Sequence, residues 1–166
     1  MSRTRRTTNS AAAIAFLAIT ATTGCGIMNH GKATPASVEK KAHTLTRQTL
    51  DAIHPVIGSA RTSVDRADWG KCPTETPGVH RFEYAYTLKL EVPQDRSEAV
   101  MAAAKAHFVK QGYDLDLPDP KTARVGGTEK NSSWWVGVGV NNDKTSMFIS
   151  VDSDCVGTSH DPKTAS

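Results

Sequence analysis

Residues 79–92, VHRFEYAYTLKLEV, decide the fold, because they form the longest stretch of alternating residues in the chain. Every second residue from Phe82 to Val92 is aromatic or aliphatic, and the residues between them are polar or small. A period of two places one side of an extended strand in a core and leaves the other side in water. The sequence therefore predicts a long strand with one buried face and one solvated face.

A helical pattern lies on each side of this strand. Ser37 is a predicted N-cap, and apolar residues recur after it every three or four positions until Pro55, which we expect to end or kink the helix. A second helix is predicted to start at Asp95 in a segment that resembles a capping box, and to end at Gly112.

More strands are predicted in the second half of the chain. Residues 134–140 and 147–151 alternate around a polar turn, which indicates an antiparallel hairpin, and shorter strand candidates precede it. Residues 58–78 contain several glycines and prolines, so we predict a loop there with one short strand at 61–64. The order α-β-α-β-β predicts an α+β fold, in which two helices pack on one face of a single antiparallel sheet of three to five strands.

The N-terminal segment is typical of an export signal. Arginines at positions 3, 5 and 6 precede an apolar run, Ala11–Ala21, which is too short to cross a bilayer because crossing takes about 20 residues. Small residues then lead into Cys25 as in a bacterial lipobox, although Thr22 stands where such motifs usually have an aliphatic residue. We therefore expect lipidation of Cys25, with plain secretion as the alternative.

These features predict four consecutive parts of the chain. They are a signal peptide at 1–24, the lipidated cysteine and a tether at 25–36, one α+β domain at 37–156 and a disordered polar tail at 157–166. A flexible tether of this kind spans roughly 20 Å on average. The domain is therefore expected to lie close to the membrane.

The cysteine count agrees with lipidation. The chain has three cysteines, Cys25, Cys72 and Cys155, and an odd number in an exported protein leaves one thiol to explain. If Cys25 carries lipid, Cys72 and Cys155 remain as a pair that an oxidising compartment allows to form a disulfide. Two separate free thiols are the alternative.

The charge of the mature chain argues against one class of partner. Removing residues 1–24 removes three of the 20 basic residues and none of the 17 acidic ones, which leaves 17 of each. Nucleic-acid binding needs a basic surface that releases counterions, so we do not expect a nucleic-acid partner. The expected attachment to the membrane is through the N-terminal lipid.

The sequence contains no pattern that predicts a metal, a cofactor or a catalytic centre. The six histidines form no metal-binding motif, and the acidic segment with Asp114, Asp116 and Asp119 lacks the glycine and glutamate of an EF-hand. Asp152 and Asp154 point the same way along a strand, but a solvated strand end explains them. No nucleophile elbow or phosphate-binding loop is present, so we do not predict an enzyme.

Tryptophan offers the best candidate for a binding surface. Trp134 and Trp135 are neighbours in a predicted strand, so one side chain is expected in the core and the other on the outer side. Beside Gly137 and Gly139, an outward ring is suited to stack on a sugar, a peptide or a protein. The predicted binding surface comprises Trp69, Trp134 and Trp135.

Several short segments resemble small, uncharacterised lipoproteins of actinobacterial type. The segments are Thr-Thr-Gly-Cys25, DWGKC at 68–72, SWWV at 133–136 and DCV at 154–156. The resemblance implies a lipoprotein anchored to the outer face of the cell membrane, and it brings no catalytic residues with it.

We therefore expect a small, non-catalytic binding or interaction module that recognises an envelope protein or a wall component. One alternative is a wall-associated hydrolase that uses carboxylates such as Glu83, Glu91 or Asp152. Another is an accessory subunit of a larger envelope complex.

Overall fold

One antiparallel sheet and two helices make up the described part of the chain. The computed structural model describes residues 33–73, 80–117, 122–142, 144–158 and 161–164. The predicted signal peptide, Cys25 and most of the predicted tether lie outside these residues. The helices and strands are α1 Pro35–Ile57, β1 Arg61–Lys71, β2 Arg81–Glu91, α2 Ser97–Gln111, β3 Asp114–Leu115, β4 Arg124–Thr128, β5 Trp135–Val140, β6 Met147–Asp152 and β7 Val156–Gly157.

The sheet has the strand order β1-β2-β6-β5-β4-β3, and β7 pairs with the start of β2 beside β6. The alternating residues of β2 from Phe82 to Leu90 are all buried, which confirms the predicted one-sided strand. They form one core with α1 and α2, through residues such as Ile53 and Phe108. Both helices therefore pack on the same face of the sheet, as predicted.

The prediction of three to five strands is wrong, because the sheet has seven. The largest difference is β1, an 11-residue strand where the sequence predicts mostly a loop. Its side chains from Arg61 to Asp68 are exposed on both faces, so this part of the sequence shows no alternation of buried and exposed residues. It forms at the edge of the sheet through backbone pairing with β2, with a register shift between Val64 and Arg66.

The end of the domain also lies later than predicted. Val156 and Gly157 pair with Phe82 and Arg81, so the polar segment after Val156 adds a short strand to the sheet. Thr158 is buried as well, and a short 3-10 turn at Pro162–Thr164 contacts β1. The prediction of disorder is therefore wrong for these residues.

Helix α1 begins earlier and ends later than predicted. Thr34 is the N-cap, and its side-chain oxygen accepts a hydrogen bond from the backbone N–H of Ser37 at 3.2 Å. Ser37 is therefore inside the first turn, and Pro35 occupies the first turn too, where a missing N–H costs nothing. Pro55 does not stop the helix, which continues to Ile57 although the proline lacks the N–H for one helical hydrogen bond.

The second helix has a different start from the one predicted. Asp95 lies in a 3-10 turn, Gln94–Arg96, and α2 begins at Ser97 without a side-chain cap on its first turn. Gly112 ends α2 in the left-handed conformation with φ of 77°, which confirms the predicted C-terminus. No described helix is both long and apolar enough to cross a membrane.

Cys72 and Cys155 form a disulfide, as expected. Their Cα atoms are 6.1 Å apart, and 83 positions separate them along the chain. The bond joins the residue after β1 to the segment between β6 and β7. It therefore ties the edge strand and the C-terminal segment to the same end of the sheet.

Replacing both Cys72 and Cys155 with Ser is expected to lower the free energy of unfolding by about 4–5 kcal/mol, because the chain-entropy model assigns that amount to a loop of this length. Urea unfolding of the oxidised protein and the double variant measures the difference, and the wild-type protein in reductant is the control. Equal unfolding midpoints, or alkylation of both thiols in the native protein, would contradict the disulfide.

Candidate functional site

The side of the sheet opposite the helices carries the candidate site, and we call it the open face. Neither α-helix packs on it, since the core residues of both helices meet the other side. Most of its side chains are charged or polar, which is the usual character of a solvated sheet face. Two aromatic residues, Trp135 and Phe148, are the exceptions.

The ring of Trp135 lies flat on the sheet. A Cβ atom at Gly126 would lie 2.5 Å from the Cζ2 atom of this ring, and one at Gly137 would overlap the same ring. Gly126 and Gly137 are cross-strand partners on β4 and β5, so together they form a floor for the indole. The indole Nε1 donates a hydrogen bond to Oδ2 of Asp116 at 2.8 Å, which fixes the orientation of the ring.

Phe148 also lies over a glycine, at the position two residues beyond Gly137 on β5. It pairs with Gly139 across β5 and β6, and a Cβ at Gly139 would lie 2.7 Å from the Cζ atom of the phenyl ring. We call Trp135, Phe148 and the three glycines beneath them the aromatic strip. Both aromatic side chains are only partly buried, so each presents area to a ligand.

Arg124 lies beside the Trp135 ring and lines a cavity together with Phe148. Its guanidinium carbon is 5.6 Å from the centroid of the Trp135 ring, within the range of a cation–π contact. The same residue lines two cavities, one of about 430 Å³ between α2 and β4 and one of about 300 Å³ beside Phe148. These volumes are at the lower end of the range that small ligands occupy, roughly 300–1,000 Å³.

The predicted surface of three tryptophans is wrong for two of them. Trp69 is 6% exposed and Trp134 is 5% exposed, so both belong to the core. The Nε1 of Trp69 donates to Oε1 of Glu39 at 2.9 Å. The Trp134 ring lies under the ammonium of Lys41, whose Nζ is 4.5 Å from the ring centroid. These two rings attach α1 to the sheet, and Trp135 alone keeps the predicted outward position.

The carboxylates considered for a hydrolase do not form one centre. Glu83 and Glu91 are eight residues apart on β2, which is roughly 26 Å in a strand. Glu91 pairs with Arg61 at 3.6 Å. Asp152 lies diagonally across from Glu83 on the open face, because its cross-strand partner is Ala85.

The surroundings of Asp152 shift the pKa of its carboxyl group. Burial is the main cause, and it raises the pKa of Asp152 above the usual value. The Arg66 guanidinium opposes the rise, and Glu83 adds to it. A proton is therefore held more tightly on Asp152 than on an ordinary aspartate.

Two of the carboxylates considered for metal binding already accept hydrogen bonds within the chain. Asp116 accepts the hydrogen bond from Trp135, Asp154 accepts one from the backbone of Ser133, and Asp119 lies outside the described residues. Among the residues that the structure describes, Cys72, Glu83 and Cys155 bring ligand-type atoms close together. Both sulfur atoms are already in the disulfide, so this group is not arranged as a metal site.

Two residues of the site, Phe148 and Arg124, are not predicted from the sequence. The signal for Phe148 was present, because Met147, Ile149 and Val151 alternate inward and leave Phe148 pointing to the other side. Arg124 gave no such signal, since its role depends on the pairing of β4 with β5.

The chain was compared with protein-family models, with curated proteins and with solved structures, and none of the three comparisons gives a match.

Replacing Gly137 with Ala is expected to displace the Trp135 ring, because the added methyl group occupies the position of the indole. The free energy of unfolding should fall by about 1–3 kcal/mol, as for other overpacked sites. Tryptophan emission should also shift to longer wavelength as the ring moves into water.

The matched control is Gly157→Ala, since Gly157 also lies in a strand but has open space where a Cβ would be. We expect that variant to stay within about 0.5 kcal/mol of the wild type. Equal stability and unchanged emission for Gly137→Ala would show that the ring does not rest on the glycine floor.

Proposed function

We propose that this protein is a lipid-anchored, extracytoplasmic, non-catalytic binding module whose ligand contacts the aromatic strip. The main observation in support is that the Trp135 and Phe148 rings lie on three glycines, on the face that neither α-helix covers. Aromatic rings contribute strongly to binding, because they bury a large area with few rotatable bonds.

The rigidity of Trp135 supports a binding role. Its ring is fixed from below by Gly126 and Gly137 and at its edge by Asp116. A side chain that already holds its bound orientation loses little conformational entropy when a ligand arrives. The outer side of the ring is therefore a prepared stacking surface, and a ligand there would also contact the Arg124 guanidinium.

Two observations support the location outside the cytoplasm. The Arg-rich start, the apolar run and Cys25 have the order of a lipoprotein signal. The disulfide between Cys72 and Cys155 agrees with an oxidising compartment, because such bonds are rare in the cytosol. Helix α1 begins at Pro35, ten positions after Cys25, so a lipid on that cysteine would hold the domain close to the membrane.

A hydrolase is the second candidate function, and Asp152 is the observation that favours it. A raised pKa beside a second carboxylate, here Glu83, is the arrangement from which a general acid is built. Asp152 and Glu83 lie outside both cavities that Arg124 lines, and this favours the binding module. Release of soluble sugar from wall material by the purified protein would decide for the hydrolase.

Replacing Cys25 with Ala is expected to release the protein from membranes into the medium, because the lipid is the proposed anchor. Fractionation followed by intact-mass measurement tests this: the wild-type chain should start at Cys25 and carry added lipid mass. Retention of the variant in the membrane fraction, or an unmodified wild-type mass, would contradict lipidation.

Replacing Trp135 with Ala is expected to weaken binding to isolated cell-wall material at least tenfold, since central aromatic residues often contribute about 2 kcal/mol or more. Sedimentation of the purified full chain with insoluble wall material measures the bound fraction. Trp135→Phe should retain part of the binding because it retains a ring.

The matched control is Val109→Ala, which removes an exposed apolar side chain from α2, away from the strip. That variant should bind like the wild type. The proposed binding surface would be wrong if Trp135→Ala and Val109→Ala bound equally well.

A further inference from the structure

We infer that the ligand of this module is an acidic glycan, meaning a saccharide polymer that carries carboxylate or phosphate groups, and that its charged groups bind around Phe148. The inference rests on the proposed function, because it specifies the ligand of the same aromatic strip. It is carried by the cations that surround Phe148, by the adjoining cavity and by the position of both relative to the tether.

Two cations flank Phe148 across the sheet. Lys89 is its cross-strand partner on β2, and Arg124 is the cross-strand partner of Gly139, over which the phenyl ring lies. In order from β2 to β4, the open face therefore carries Lys89, the Phe148 ring above its glycine, and Arg124. Lys144 adds a third cation, since it lines the cavity beside Phe148 together with Arg124.

None of these three cations is paired with a carboxylate of the described residues. The salt bridges in this part of the chain join Lys41 to Glu129, Arg61 to Glu91 and Arg66 to Asp68. Asp143, next to Lys144, is outside the described residues. Lys89 beside Phe148 on the sheet, with Arg124 and Lys144 in the adjoining cavity, favours the binding of an anion there.

The cavity beside Phe148 also fits a saccharide. It has a volume of about 300 Å³, and its lining includes Asn141 and Asn142 beside the cations. Amide side chains donate and accept hydrogen bonds, as sugar hydroxyls require. The phenyl ring supplies the flat apolar area on which the C–H face of a sugar packs.

The backbone at Lys144 supports a role for its side chain. Lys144 has φ of 57°, in the left-handed region that favours glycine or asparagine. Its N–H donates to the carbonyl of Asn141 at 2.8 Å and closes the turn between β5 and β6. A lysine at this position is unfavourable for the turn alone, and its side chain faces the cavity that holds Phe148.

The Phe148 cavity and the turn with Lys144 lie at the end of the sheet opposite the start of α1. Near the start of α1, Glu39 accepts from Trp69 and Lys41 pairs with Glu129, and these contacts lie where β1 and β4 end. The turn with Lys144 is at the other end of β5 and β6. Because α1 begins at the first of these ends, ten positions after Cys25, the proposed lipid would bring that end closer to the membrane than the turn with Lys144.

These features favour an acidic glycan over nucleic acid. A nucleic-acid duplex engages several phosphates at once and needs a broad basic surface. The mature chain has 17 basic and 17 acidic residues, and two of its cations, Arg124 and Lys144, line one small cavity. A glycan whose sugar rings stack on the aromatic strip, and which carries only occasional anionic groups, matches this small number of cations.

The test uses the full mature chain, purified in detergent, and two matched pairs of polymers. Polygalacturonate with neutral dextran tests carboxylates, and phosphomannan with unphosphorylated mannan tests phosphates. We expect at least one acidic polymer to bind at least tenfold more tightly than its neutral counterpart. Its affinity should fall when salt is raised from about 0.05 M to about 0.3 M, because salt screens exposed charges.

Two variants locate the contact. Arg124→Gln should reduce affinity for the acidic polymer about tenfold, the loss typical of one charge-assisted hydrogen bond. Lys144→Gly should reduce it several-fold with no loss of thermal stability, because glycine suits the left-handed backbone. The control is Lys130→Gln, which removes an exposed cation at the tether end and should leave affinity unchanged.

Equal affinity for acidic and neutral polymers, with binding still lost in Trp135→Ala, would overturn the acidic ligand and leave the binding module in place. Loss of binding to every polymer and to wall material would overturn both. Tighter binding to vesicles of anionic phospholipid or to DNA, with the same dependence on Arg124 and Lys144, would replace the glycan with that ligand.

Discussion

The one-sided burial of β2 is the constraint on which the rest of the structure depends. Its alternating aromatic and aliphatic residues, from Phe82 to Leu90, bring both helices to one face of the sheet, because only that face offers apolar area to bury. The neighbouring strand β6 must match this orientation, since a shift of one residue would turn its buried side chains to the wrong side. The other face is left without a helix.

The open face would ordinarily be polar throughout, and its two aromatic residues need a local explanation. Trp135 and Phe148 lie above glycines, so their rings contact backbone where neighbouring side chains would otherwise stand. Glycine weakens a strand, because it adds no packing and loses more entropy on folding. Three glycines in β4 and β5 therefore lower the stability of the sheet, but they allow two aromatic rings to lie directly on its backbone. A local loss of strand stability that positions side chains in this way is typical of a contact surface.

Periodic elements could be predicted from sequence, and elements defined by pairing could not. β2, the hairpin of β5 and β6 and the end of α2 at Gly112 each carry a local signal in periodicity or turn residues. β1 carries none, because an edge strand exposed on both faces is specified by its partner. The same distinction holds at the site. The outward ring beside glycines was foreseeable from residues 134–139, whereas Arg124 reaches that ring only through the register of β4 on β5.

The two ends of the sheet differ in the contacts that their side chains make. At the end where α1 begins, Trp69 and Trp134 pack the helix onto the sheet, and the disulfide of Cys72 closes the same end. At the other end, the short turn with Lys144 connects β5 to β6 beside Phe148. The cations there have no carboxylate partner among the described residues. The contacts that attach α1 to the sheet and the cations without described carboxylate partners thus lie at opposite ends of the strands. The first end is packed and cross-linked, so the fold does not depend on neutralising the cations at the other end.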